Sequence, residues 1–190
     1  SMLSWLFGKK DQATRGEDSV WLSDAARLKG ILREVERLAQ GHSVVVVAWT
    51  LPTFDDLARQ LDQHKPLLCR DLFGFDALRG QLTRAESVAV ALGNVLSSDV
   101  KPSLTGIPVE ILVCGRNERQ ATDDTILRFA DLIGSNTRVA FHLSLDDALL
   151  KDYIGTLSQL LTRLAVSPDE AISHPMVTRA IAQAQVKKKS

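Results

Sequence analysis

Arg116, Asn117, Glu118 and Arg119 crowd into one short stretch directly after the apolar run Val109 to Cys114. Two guanidinium groups in a loop that leaves a strand are side chains that hold anions or a partner's carboxylates. The carboxyl ends of the other apolar runs offer Thr50 and Thr53, then Asn94 with Ser97 and Ser98, then Ser144 and Asp146. These residues have two readings. Either the arginines close ion pairs with Glu118, Asp123 or Asp146, as polar loops do by default, or the loops carry the remnant of an anion or partner site. The acids come in pairs at Asp55-Asp56, Asp123-Asp124 and Asp146-Asp147, each at the opening of a helical pattern, where carboxylates favour the helix dipole and capping outweighs catalysis.

Other chemistries lack their residues. No G-x-x-x-x-G-K-[ST] run exists to cradle phosphates, and no two glycines are separated by a single residue, so the dinucleotide fingerprint fails as well. There is no G-x-S-x-G elbow and no H-E-x-x-H pair. His42, His64, His142 and His174 are far apart, and Cys69 and Cys114 form no C-x-x-C. The expectation is therefore no metal site, no cofactor and no disulfide, with the histidines at the surface or satisfied locally.

The 190 residues carry 45% hydrophobic and 24% charged side chains, enough apolar surface for one ordinary globular core. With 23 Lys and Arg against 23 Asp and Glu, the net charge is zero, and no global field draws in polyanions. Nucleic acid is therefore not expected as a partner, and Trp21, Trp49 and the phenylalanines read as core side chains. No apolar run is long enough to cross a bilayer, and a cytoplasmic location is expected.

The elements that position the loops follow from periodicity. Ser23 caps a helical pattern through Leu28, Ile31, Leu32, Val35 and Leu38, closed by Gly41. Val44 to Val47 then give a run of β-branched residues suited to a strand buried on both faces. Helix and short apolar strand alternate from there, with strands expected at residues 43–48, 67–70, 87–92, 109–114 and 138–143. The pattern predicts a three-layer α/β domain with a mostly parallel sheet, its sequence order broken by a crossover. Thr122 or Asp123 is expected to cap the helix through Ile126, Ala130 and Ile133. Leu149 to Leu164 reads as one long helix, and Pro175 opens a final one. The expected organisation is an amphipathic tail over 1–19, the α/β domain over 20–145, and C-terminal helices with a basic tail over 146–190. Within the tail, Leu3, Leu6 and Phe7 share one helical side, with Trp5 at its border and Lys9 and Lys10 beyond. That arrangement suits a weak contact with acidic lipid. In the alternative, Trp5 and Phe7 cover a groove of the domain.

Three blocks resemble a known family. They are Gly115-Arg116-Asn117-Glu118-Arg119 with Asp123-Asp124 and Leu127-Arg128; then Arg138-Val139-Ala140-Phe141-His142-Leu143-Ser144-Leu145-Asp146-Asp147-Ala148-Leu149-Leu150; then Asp169-Glu170-Ala171-Ile172-Ser173-His174-Pro175-Met176-Val177-Thr178-Arg179-Ala180-Ile181-Ala182-Gln183-Ala184-Gln185. In order and spacing they resemble the end of the second motor domain of SecA, the preprotein translocase ATPase, running into its scaffold helix. The family's last block reads E-x-I-E-H-P-x-V-T-x-A-I-x-x-A-Q. The start Met2-Leu3-Ser4-Trp5-Leu6-Phe7-Gly8-Lys9-Lys10 also resembles the amphipathic start of SecA proteins, which contacts acidic lipid.

The resemblance implies a RecA-like fold of the P-loop NTPase type, and departures from the family pattern bear on activity. No counterpart of the first motor domain or of the preprotein-binding insertion is present in this sequence. Where the family carries G-R-S-G-R-Q-G-D, Ala130 and Ile133 fall on the two finger-arginine positions, and only Arg128 survives nearby. The resemblance thus implies a pseudoenzyme without ATP hydrolysis, a protein-binding module whose partner is a translocase or motor-like component or a second copy. Thr50, Asn94, Arg116, Glu118, Arg119, Arg128 and Asp146 would form its vestigial nucleotide or partner surface. Two rival readings remain: a membrane-surface adaptor held at the inner face by residues 2–10, and an ATPase half-site completed in trans through Arg116, Arg119 or Arg128.

Overall fold

The computed structural model describes residues 12–96, 106–134, 136–164 and 167–189. Among the described residues seven strands form one sheet: β1 (Thr14–Arg15), β2 (Ser19–Trp21), β3 (Ser43–Ala48), β4 (Leu67–Cys69), β5 (Ser87–Leu92), β6 (Val109–Cys114) and β7 (Thr137–Ser144). The order is β1-β7-β6-β3-β5-β4, with β2 also on β7, and every strand pairing is parallel. The helices are α1 (Asp24–Leu38), α2 (Leu51–Gln60), α3 (Leu72–Gln81), α4 (Gln120–Ile133), α5 (Ile154–Arg163) and α6 (Pro175–Lys189). The predicted three-layer α/β architecture with a crossover is the one observed.

Alternation along the central strands divides the core in two. Val44, Val46 and Ala48 face Ile31, Val35 and Leu38 of α1 and Phe54 and Leu57 of α2. Val45 and Val47 face the other layer, where Phe75 and Leu78 of α3, Phe129 and Ala130 of α4, and Val177 and Ile181 of α6 pack. A run buried on both faces needs an apolar side chain at every position, and Val44 to Val47 meets that requirement with β-branched residues that suit a strand.

Helix starts follow local chemistry. The Ser23 side chain accepts from the Ala26 N–H at 3.1 Å, and Asp71 accepts from the Gly74 N–H at 2.9 Å; each satisfies a donor that the first turn leaves open.

Four expectations are corrected. Folded structure begins before Val20, because β1 and β2 add to β7 and Asp18 between them is 2% exposed; two- and three-residue strands are too short for periodicity to reveal. The helix α4 starts at Gln120, with Arg119 rather than Thr122 or Asp123 at its cap position. Asp55 and Asp56 lie inside α2, where they pair with Arg70 and Arg59. Leu149 to Leu164 is a 3-10 stretch, Ala148–Tyr153, followed by α5.

Candidate functional site

In a doubly wound sheet the privileged crevice lies outside the carboxyl ends of two neighbouring strands whose connections leave in opposite directions. Here those strands are β3, which leads by way of α2 to β4, and β6, which leads by way of α4 to β7. Side chains of the protein itself bridge that crevice. The Trp49 indole, one residue beyond β3, donates to the Gly115 carbonyl just beyond β6 at 3.0 Å. The ring lies so close to Gly93 that a Cβ there would sit 2.4 Å from a ring carbon, so only glycine fits. From α1, Arg27 donates to both carboxylate oxygens of Asp147 at 2.8 and 2.9 Å, and Asp147 Oδ2 also accepts from the Ser144 N–H at 3.0 Å. Asp146 turns to the start of α1 and accepts from the Asp24 N–H at 2.9 Å, so it caps a helix, though not the one that it precedes.

Arg116 turns inward. Its guanidinium lies 4.4 Å from the centroid of the Phe141 ring, its Nε is 3.4 Å from Asp123 Oδ2, and one terminal nitrogen is 3.8 Å from Asp18. Burial lowers the Arg116 pKa, an effect that Asp18 and Asp123 oppose. Burial likewise raises that of Asp123, against the Asn117 N–H, Arg116 and Gln185, which all favour its charged form. Gln185 of α6 closes the cluster, its Nε2 donating to Asp123 Oδ2 at 2.6 Å and to the Asn117 carbonyl at 2.8 Å. Both Asp18 carboxylate oxygens and Arg116 Nε are buried without a hydrogen-bond partner. A half-satisfied network of this kind holds four distant segments together through charge more than through directed bonds.

The remaining expected site residues stand apart from Arg116. Thr50 is the exposed cap of α2, accepting from the Thr53 N–H at 3.5 Å. Asn94 is exposed on the 3-10 turn Gly93–Val95. Glu118, Arg119 and Arg128 are exposed, and Arg119 donates its N–H to Asn117 Oδ1 at 3.0 Å. Ser97, Ser98 and the tail residues Leu3, Trp5, Leu6, Phe7, Lys9 and Lys10 lie outside the described residues. Ala130 and Ile133 are 0% and 4% exposed, facing the core. Of these buried partners the sequence marks Asp147, as half of the Asp146-Asp147 pair, and Gln185, the last residue of the third resembling block; Asp18 and Arg27 carry no signal.

Between α1 and α2 a cavity of about 430 Å³ is lined by Asp24, Arg27, Thr53, Asp56, Arg59 and Cys114 among others. Burial pushes the Cys114 thiol up to about 11, which keeps it protonated at neutral pH and a poor nucleophile. Cys69 and Cys114 are both free thiols. Among the described residues no group of three or more His, Cys, Asp or Glu side chains is arranged to hold a metal ion.

The fold is that of the RecA-like second domains of helicases. The second helicase domain of Mss116p, solved bound to an RNA duplex, superposes with a TM-score of 0.52 at 10% identity, over 89% of this chain and 69% of that one. The E. coli DEAD-box protein SrmB, solved bound to regulator of ribonuclease activity A, gives 0.51 at 15% identity, over 78% and 86%. The C-terminal part of the Fun30 ATPase domain gives 0.50 at 7%, over 85% and 54%. In sequence the chain is similar to the protein translocase subunit SecA of Psychrobacter sp. (strain PRwf-1), with 25% identity over 213 residues. That alignment takes in 92% of this chain and 23% of the SecA subunit, so the chain spans less than a quarter of its curated relative. No protein-family model matches. Among the described residues no helix is long and apolar enough to cross a membrane.

Proposed function

We propose that this chain is a catalytically inactive, SecA-like domain that works as a protein-binding module in protein translocation. One observation carries the reading: the arginines at the switch point are committed within the protein, Arg27 to Asp147 and Arg116 to Asp18 and Asp123, and Trp49 is tied to the Gly115 carbonyl. Stabilising a transferring phosphoryl group needs several positioned charges around an open site. Arg116 is buried, Arg119 and Arg128 stand outside the cluster, and Ala130 and Ile133 are core residues. These placements weigh against an ATPase half-site completed in trans.

The partner is a translocase or motor-like protein, in keeping with the similarity to a translocase subunit. SrmB, a neighbour in fold, was solved with a protein partner. An RNA duplex like that on Mss116p is not part of this reading, because the charges of this chain balance to zero and supply no global field for a polyanion.

The deciding measurement is calorimetric titration of the purified chain with ATP and Mg²⁺, where no binding is expected. Micromolar affinity that disappears in Arg116→Ala would overturn the inactive reading.

A further inference from the structure

One face of the sheet is only partly covered. Register places Glu110 beside Arg138, Leu112 beside Ala140 and Cys114 beside His142, all on the α1 side. Ile31, Val35 and Leu38 of α1 pack toward Val44 and Val46, while α1 also contacts β7 without filling the space above the β6–β7 strip. The strip is the floor of a cavity of about 520 Å³. One wall is α1, with Arg33, Glu34 and Arg37; the other is the backbone around Glu17 and Ser19 with Ala171 and Ser173. Ser19 and Ser173 close that second wall, their hydroxyls 3.2 Å apart.

At one end sits His142, 6% exposed. Its Nδ1 accepts the Trp21 indole N–H at 3.2 Å, which leaves the ring proton on Nε2. That Nε2 is buried and has no partner. Trp21 is fixed in turn: a Cβ on Gly30 would stand 2.2 Å from its ring, so α1 must present glycine there. A buried donor held in one orientation with nothing to donate to marks the place of an absent acceptor.

We propose that this groove binds a short extended peptide segment of a partner protein, carrying both acidic and basic side chains, with a main-chain carbonyl accepting from His142 Nε2. The inference rests on the reading of the chain as a protein-binding module and gives that module its site. From Arg138 to His142 the floor runs four residue steps, roughly 13 Å at about 3.3 Å per step, the reach of a similar length of extended peptide. The charges alternate in sign: Arg37 pairs with Glu34 at 2.7 Å, and Glu110 lies beside Arg138. A single-sign ligand, such as a nucleic acid or an acidic lipid, would meet as much repulsion as attraction there, whereas a peptide of mixed charge meets complements. Leu112 and Ala140 supply an apolar strip between the charged ends, and the neutral imidazole calls for a neutral acceptor, which a peptide offers at every residue.

The experiment has two arms. In the first, a phage-displayed library of random linear dodecapeptides is panned on the full chain at neutral pH, and selected peptides are measured on wild type, Ala140→Trp and Arg138→Glu. Ala140→Trp fills the floor, and Arg138→Glu alters an exposed side chain whose loss does not threaten the core. The expected result is peptides of mixed charge that lose at least tenfold in affinity on both variants and shift the His142 Nε2–H resonance on binding. Failure to enrich peptides, or equal binding to all three proteins, overturns the groove. In the second arm, wild type and Arg138→Glu are compared in cross-linking capture from native membranes and cytosol. A partner retained equally by both overturns the groove and leaves the protein-binding reading standing; no specific partner on either overturns both.

Discussion

Asp123 is the residue on which most of the buried polar cluster depends. It accepts from the Asn117 N–H at 2.7 Å and from Gln185 at 2.6 Å, and it faces Arg116. Removing it strands a buried guanidinium and two donors at once. Asp123→Ala should therefore cost about 3 kcal/mol in denaturant unfolding, while Gln185→Ala, which strands a carboxylate that keeps its other partners, should cost about 1 kcal/mol. The double variant should cost less than the sum, because the two share one contact; full additivity would mean that the cluster is not a unit. His142 gives the second prediction at this scale. Burial pulls its pKa from 6.5 to about 4, with Arg27 adding to the effect and Glu34 opposing it. The unfolded chain thus binds this proton at a higher pH than the folded one does. The stability is present in full above pH 6.5 and is lost as pH falls toward 4, by about 3 kcal/mol. Buried carboxylates with raised pKa values act in the opposite sense, so the measurement is the difference between wild type and His142→Gln across pH 7 to 4.5. A flat difference would show that His142 is not held neutral by the fold.

At the scale of elements, α6 is the piece whose attachment the sequence states least directly. Val177, Ile181 and Ala184 are 1%, 0% and 3% exposed, four and three residues apart, so one stripe of the helix enters the core beside α4 and β7. Met176 on the same helix is 53% exposed. Ile181→Ala should lower unfolding free energy by about 3 kcal/mol, and Met176→Ala should change it by less than about 0.5 kcal/mol. Equal effects of the two would mean that α6 does not dock as described. The sequence marks this helix by its start at Pro175, and nothing local reveals that Gln185, one step beyond Ala184, lies over Asp123.

For the whole molecule, the membrane contact expected of residues 2–10 can be tested with the described residues kept intact. A chain starting at Gln12 keeps β1 and Asp18, whereas one starting at Ser19 would remove the Asp18 carboxylate from Arg116 and perturb the core. Co-sedimentation with anionic vesicles should retain the full chain at low salt, release it at high salt, and leave the chain from Gln12 in the supernatant. Equal partitioning of the two would remove the anchor reading. The architecture itself was largely legible, since the strands expected at 43–48, 87–92 and 109–114 are β3, β5 and β6 to the residue. Each is a largely apolar run, interrupted only by Ser43, Ser87 and Glu110, and burial on both faces leaves such a run little freedom to be anything else.

Local sequence thus determined the alternation of helix and strand, the cap at Ser23, the helix start at Pro175, and the lack of a phosphate loop, because propensity, capping and periodicity act within a few residues. It did not determine which loop residues would meet. Arg116 and Arg119, three positions apart, went to opposite fates, one buried against Asp18, Asp123 and Phe141, the other exposed at the cap of α4. Trp49 could equally have faced a ligand or the Gly115 carbonyl, and His142 became a buried donor only once Trp21, 121 positions away, took its other nitrogen. Such pairings depend on which strands lie side by side and on how far each side chain is removed from water. Both are settled when the crossovers place β7 beside β6 and β6 beside β3, contacts between segments that share no local signal.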